Sequence, residues 1–100
     1  MNKKIVAVCE DDNCRKALEK ACNNLGYELK SEIQCQDGIK DEVSISDIQK
    51  ASIVLFAIDD KVENIENIER FIDCEYYEVE PKFLINDAES VMKEIMMDLN

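Results

Sequence analysis

Lys4-Ile5-Val6-Ala7-Val8-Cys9, the turn Glu10-Asp11-Asp12-Asn13, and a stripe of Ala17, Leu18, Ala21, Cys22 and Leu25 closed by Gly26 decide the fold of this chain. The first run is almost continuously apolar, the mark of a strand buried on both faces of a parallel sheet. Asn13 is expected to cap the helix that follows, and Gly26 stands in the usual C′ position at its end. Tyr27 to Gln34 continues with looser alternation through Leu29 and Ile33, as an edge strand would. Strand, helix and strand in this order make a βαβ unit.

The alternation persists downstream. Ser44 with Asp47 three residues on reads as a capping box opening a short helix through Ile45, Ile48 and Ala51, and Ile53 to Ile58 reads as a second fully buried strand. Val62, Ile65, Ile68, Phe71 and Ile72 fit a third helical stripe, Tyr76 to Val79 a fourth strand, and Pro81 breaks the chain. Asn86 and Glu89 are expected to cap the last helix, whose apolar face is Ala88, Val91, Met92, Ile95, Met96 and Leu99. The expectation is a single α/β domain over residues 1–100: a four-stranded parallel open sheet, Rossmann-like, with helices on both faces. Ligands of such sheets bind beyond the carboxyl ends of the strands where strand order reverses, which points to Cys9–Cys14 and Asp59–Lys61.

Composition narrows the function. A hydrophobic fraction of 46% with two glycines and one proline fits a folded chain. The net charge of −11 repels phosphate backbones, so nucleic acid is not an expected partner. The apolar runs Ile5–Cys9 and Ile53–Ile58 are far shorter than the roughly 20 residues of a membrane helix, and Met1-Asn2-Lys3-Lys4 leads into a strand, so a cytoplasmic protein without direct membrane insertion is expected. Five cysteines with irregular spacing and no histidine argue against a disulfide framework or a zinc site. Cys22, on the helix stripe, reads as a core thiol.

The turn after the first strand supports several readings. Cys9 and Cys14 are the candidate nucleophiles. Cys9 to Arg15 spells C-x5-R, the phosphate loop of cysteine-based phosphatases, although three acidic residues inside it oppose a phosphate ester. Glu10-Asp11-Asp12 with Arg15 and Leu18 also resembles the first loop of response-regulator receiver domains. That likeness implies a divalent-metal site, Mg²⁺ or Ca²⁺, on Glu10, Asp11, Asp12 and Asp59; no other cofactor is expected. The receiver's phosphoacceptor position, however, falls on Ala57. The plainest reading is that Asp11, Asp12 or Asn13 caps the helix and nothing is bound. Arg70 reads as a surface residue with a possible role in partner contact.

Much of the chain resembles the IIB component of fructose-type, phosphoenolpyruvate-dependent sugar phosphotransferase systems. The likeness runs through Lys4-Ile5-Val6-Ala7-Val8, Ala17-Leu18-Glu19-Lys20-Ala21, and Leu25-Gly26-Tyr27-Glu28-Leu29-Lys30 with Glu32 and Gln34. It resumes at Asp47-Ile48, Ala51, Ala57, Asp59, Val62, Glu69-Arg70-Phe71, Tyr77-Glu78-Val79, and Asp87, Glu89 and Val91. The resemblance implies a phosphocarrier that takes a phosphoryl group on a cysteine from the phosphohistidine of a IIA partner and passes it to a sugar held by a membrane IIC component. In that family the first loop reads approximately A-C-P-T-G-x-A-H-T. Here the matching stretch Cys9-Glu10-Asp11-Asp12-Asn13-Cys14 is several residues shorter, with no Pro, Gly, Thr or His, and counting from the strand puts Asp11 at the nucleophile's place. A carboxylate about 5 Å from a phosphate costs roughly 3 kcal/mol per charge pair at an effective dielectric near 20. The expectation is a IIB-like domain with lost or altered phosphocysteine chemistry, its alternative a non-enzymatic regulatory or binding module.

Overall fold

The computed structural model describes residues 3–35, 38–59, 68–71 and 74–99. Five strands form one sheet: β1 (Lys4–Cys9), β2 (Glu28–Cys35), β3 (Gly38–Lys40), β4 (Ile53–Ala57) and β5 (Tyr76–Val79). Their order is β3-β2-β1-β4-β5, with β1 parallel to β2 and β4, and β4 parallel to β5. Among the described residues three α-helices accompany them: α1 (Asp12–Leu25), α2 (Ile45–Lys50) and α3 (Pro81–Leu99).

The two apolar runs of the sequence are the two central strands, and every residue from Ile53 to Ala57 is buried. Alternate residues feed opposite layers. Ile5, Ala7 and Cys9 of β1, with Ile53, Leu55 and Ala57 of β4, pack with Leu18, Cys22, Leu84 and Met92 of α1 and α3. Val6, Val8, Val54 and Phe56 pack on the other face with Val43, Ile48 and Phe71. Burying each such side chain stabilises the fold by about 1.5–3 kcal/mol relative to exposure, so the double-sided sheet is the main source of cohesion.

Four local expectations change. The sheet has five strands, because β3 adds antiparallel to β2 through Ile33–Lys40 and Cys35–Gly38, so β2 is not an edge. The three-residue β3 is too short to show an alternation in sequence. Asp11 rather than Asn13 caps α1: its backbone is extended, its carboxylate accepts the Cys14 N–H at 2.9 Å, and Asn13 lies exposed inside the helix. Pro81 begins α3 instead of interrupting the chain, as proline can at a first helical position where no N–H is needed. The helix breaks at Asp87, whose carboxylate accepts the Ser90 N–H at 3.2 Å and Oγ–H at 2.8 Å, so Asp87, not Asn86, caps its second half. The expected caps at Ser44 and Gly26 are in place, Gly26 at a positive φ of 78°. The third helical stripe lies largely outside the described residues; its Ile68–Phe71 portion is a 3-10 helix.

Arg70 is not on the surface. Its side chain is 5% exposed and meets Glu32, which is wholly buried, through paired contacts of 2.8 and 3.0 Å. Glu32 also accepts from Val43 N–H at 3.0 Å and Gln34 Nε2–H at 2.7 Å, while Arg70 donates to the Val43 carbonyl at 3.0 Å and packs over the Phe71 ring. Burial pushes the Glu32 carboxyl up, but the hydrogen bonds from Arg70, Gln34 and Val43, with the Arg70 charge, outweigh it and hold it below the ordinary glutamate range. A carboxyl depressed in the folded state contributes stability above its unfolded pKa, about 4.3, and that contribution disappears as pH falls through the folded value. Arg70→Met, which strands a buried carboxylate, is expected to cost about 3–5 kcal/mol in urea unfolding. The double variant Glu32→Gln with Arg70→Met should recover most of that loss and flatten the acid limb of the stability profile; equal losses in single and double variants would contradict the assignment.

Candidate functional site

The sheet reverses its strand order between β1 and β4, so the turn after β1 and the residues after β4 share a crevice, as expected from the alternation. Cys9 is the last residue of β1, paired with Ala57 of β4. Cys14 lies in the first turn of α1. Both thiols point into the α1–α3 layer of the core and neither is exposed to solvent.

The two thiols interact. Interaction with the neighbouring Cys14 thiol and burial push Cys9 well above the ordinary thiol range, with the Asp11 charge adding to the rise. Interaction with Cys9 lowers Cys14, against burial and the nearby Asp11 and Glu10 charges. Any thiolate in the pair therefore resides on Cys14, close to the positive end of α1. Cys22, away from this pair, is pushed up to about 11 by burial alone, in keeping with a core thiol.

The carboxylates of the turn are occupied by backbone donors. Asp11 holds the Cys14 N–H, and Glu10 Oε1 accepts the Asp59 N–H at 2.9 Å across the β1–β4 crevice. Asp12 is exposed in the first turn of α1. Asp59 meets Glu10 through its backbone rather than its carboxylate. The expected metal ligands Glu10, Asp11 and Asp12 are thus neighbours along the turn with Asp59 across the crevice, but among the described residues no three His, Cys, Asp or Glu side chains gather to hold a metal ion. The guanidinium of the C-x5-R spacing is also committed: Arg15 pairs with Asp41 at 2.8 Å and Glu19 at 3.3 Å, while Cys9 faces the core. Asp60 and Lys61 lie outside the described residues.

The turn thus offers two donor positions suited to an anion, the N-terminus of α1 and the N–H after β4, each holding one of the chain's own carboxylates. The model of the family described as the lactose/cellobiose-specific IIB subunit of the phosphotransferase system (PTS) matches residues 14–94. The chain belongs to the PTS IIB family. The matched region starts at Cys14, directly after the acidic stretch. The chain is 32% identical to the PTS system fructose-like EIIB component 1 of Escherichia coli strain K12, over 95% of this chain and 92% of that protein.

Solved structures agree with a fructose-type IIB domain. The Enzyme IIB subunit from Escherichia coli K12 is similar with a TM-score of 0.85 at 32% identity, over 96% of this chain and 93% of that one. A domain of the fructose-specific IIABC component of Borrelia burgdorferi gives 0.81 at 29% identity, over 94% and 93%. The lactose-specific IIB domain of Streptococcus pneumoniae shares the fold alone, with a TM-score of 0.55 at 6% identity. Of these three solved structures, the Enzyme IIB subunit and the fructose-specific domain are the more similar.

The sequence reading missed Glu10 as the link to β4 and Glu32 with Arg70 as a buried pair. Glu32 shares its strand phase with Glu28 and Lys30, both exposed, so it reads as part of a solvated face. The available signal was that the fructose-type likeness includes Glu32, Gln34 and Arg70 together. Asp11→Ala, which removes the α1 cap, should cost about 1 kcal/mol of stability. Asp11→Asn should keep the cap while removing a charge that raises both thiols, so the Cys9–Cys14 pair should titrate at lower pH in ultraviolet thiolate absorbance; a higher value would contradict the electrostatic account.

Proposed function

We propose that this chain works as a IIB-type module of a fructose-like phosphotransferase system, recognised in the cytoplasm by IIA-type and IIC-type partners, whose β1 turn does not carry a phosphoryl group. One observation carries the reading: Cys9 and Cys14 are fully buried while Glu10 and Asp11 fill the backbone donors that would otherwise cradle an anion. Phosphorylation at either thiol would bring a dianion beside these two carboxylates and Asp12, each pair costing roughly 3 kcal/mol at about 5 Å. A helix N-terminus returns up to about 2 kcal/mol per charge, too little to offset them.

The same carboxylates place fixed negative charge where a family member bears a transient one. A module of this kind keeps the fold and docking surface of a IIB domain and acts as a regulatory partner rather than as a relay. The phosphocarrier reading draws on one feature, the preference for thiolate on Cys14 near the start of α1. Incubation with a phosphohistidine-bearing IIA domain separates the two. Binding by titration calorimetry with no added phosphoryl mass on the intact chain is the expected result, and stoichiometric phosphocysteine at Cys9 or Cys14 would overturn it.

A further inference from the structure

At the opposite border of the sheet from β3, β5 pairs with β4 on one side, and among the described residues no strand pairs with its other side. Beside that edge, β5 and α3 enclose an open groove of about 520 Å³. Its apolar lining is Tyr77 and Val79 of β5 with Phe83, Val91 and Ile95 of α3. Phe83 is 51% exposed, and its one described ring partner is the Lys82 ammonium at 5.4 Å. Lys82 is itself engaged by Glu80 at 3.2 Å.

The charged lining has one sign. Glu78, Asp87 and Glu94 contribute carboxylates, and no Lys or Arg lines the groove. Asp87 is committed to Ser90, whereas neither Glu78 nor Glu94 forms an ion pair among the described residues. Tyr77 and Val79 turn toward α3 and Glu78 toward the other face, the period-2 pattern that a neighbouring strand reads.

We propose that this groove receives an extended basic segment of a partner protein, which adds as a further strand to β5 with its apolar residues over α3 and its alternate Lys or Arg residues on the opposite face beside Glu78. Backbone pairing along β5 supplies the docking, and the apolar and acidic lining select the side chains. A second copy of this chain is a poor occupant, because pairing β5 with β5 would set Glu75, Glu78 and Glu80 against the same residues in a chain of net charge −11. The groove lining includes no residue of the β1 turn.

The test uses the whole ¹⁵N-labelled protein and a synthetic peptide alternating Val with Lys, compared with a Val–Glu peptide and with a Val–Lys peptide N-methylated at alternate residues to block strand pairing. The Val–Lys peptide should shift the amides of β5 and of residues 83–95, slow hydrogen exchange in β5, and lose about tenfold in affinity at high salt. Glu78→Lys should weaken it by a similar factor while leaving the urea midpoint within error of the parent. Absence of shifts, equal binding of the Val–Glu or N-methylated peptide, shifts confined to another face, or dimerisation through β5 would each overturn the proposal.

Discussion

The Glu32–Arg70 pair ties together three segments that apolar packing alone would leave loosely placed. Glu32 belongs to β2, Val43 to the stretch between β3 and α2, and Arg70 to the 3-10 helix that follows β4. One carboxylate and one guanidinium satisfy each other and both backbone groups of Val43, and among the described residues no buried side-chain N or O atom lacks a partner. Two charges taken out of water cost several kcal/mol each, so the pair adds more to geometry than to net stability. Its neighbours Val43 and Phe71 pack with Val8 and Phe56 on the second face of the sheet.

That crevice shows how charge governs what a conserved architecture can do. The alternating fold delivers a strand end, a helix N-terminus and a second loop to one place, and in a phosphate-carrying protein those backbone donors would face an anion. In this chain the short turn brings Glu10 and Asp11 to the donors first. The thiols below are turned inward and packed among Ala7, Leu18 and Ala57. The fold is that of the PTS IIB family, and the backbone donors at the β1 turn hold carboxylates of the chain itself.

Most of the architecture was legible in the sequence, because two continuous apolar runs and three amphipathic stripes leave few alternatives to a doubly covered parallel sheet. Two of the boundaries that slipped involve one polar side chain choosing among near-equal partners: Asp11 over Asn13 at α1, Asp87 over Asn86 at the break in α3. β3 escaped notice because three residues carry no period, and Arg70 because its partner is 38 positions away. The crevice itself was legible from topology and its residues from position. The occupation of the Asp59 N–H by Glu10 was not, since nothing in a linear pattern tells which of several adjacent carboxylates turns across a crevice 49 residues away.

Access to the two thiols tests the account at its centre. Native-state alkylation with iodoacetamide, mapped by peptide mass spectrometry against urea-unfolded protein, reads it directly. The account predicts that Cys74, which is partly exposed, labels readily, while Cys9 and Cys14 label only as the protein opens, at rates that rise with denaturant. Labelling of Cys14 in the native protein as fast as in the unfolded chain would contradict a sealed turn.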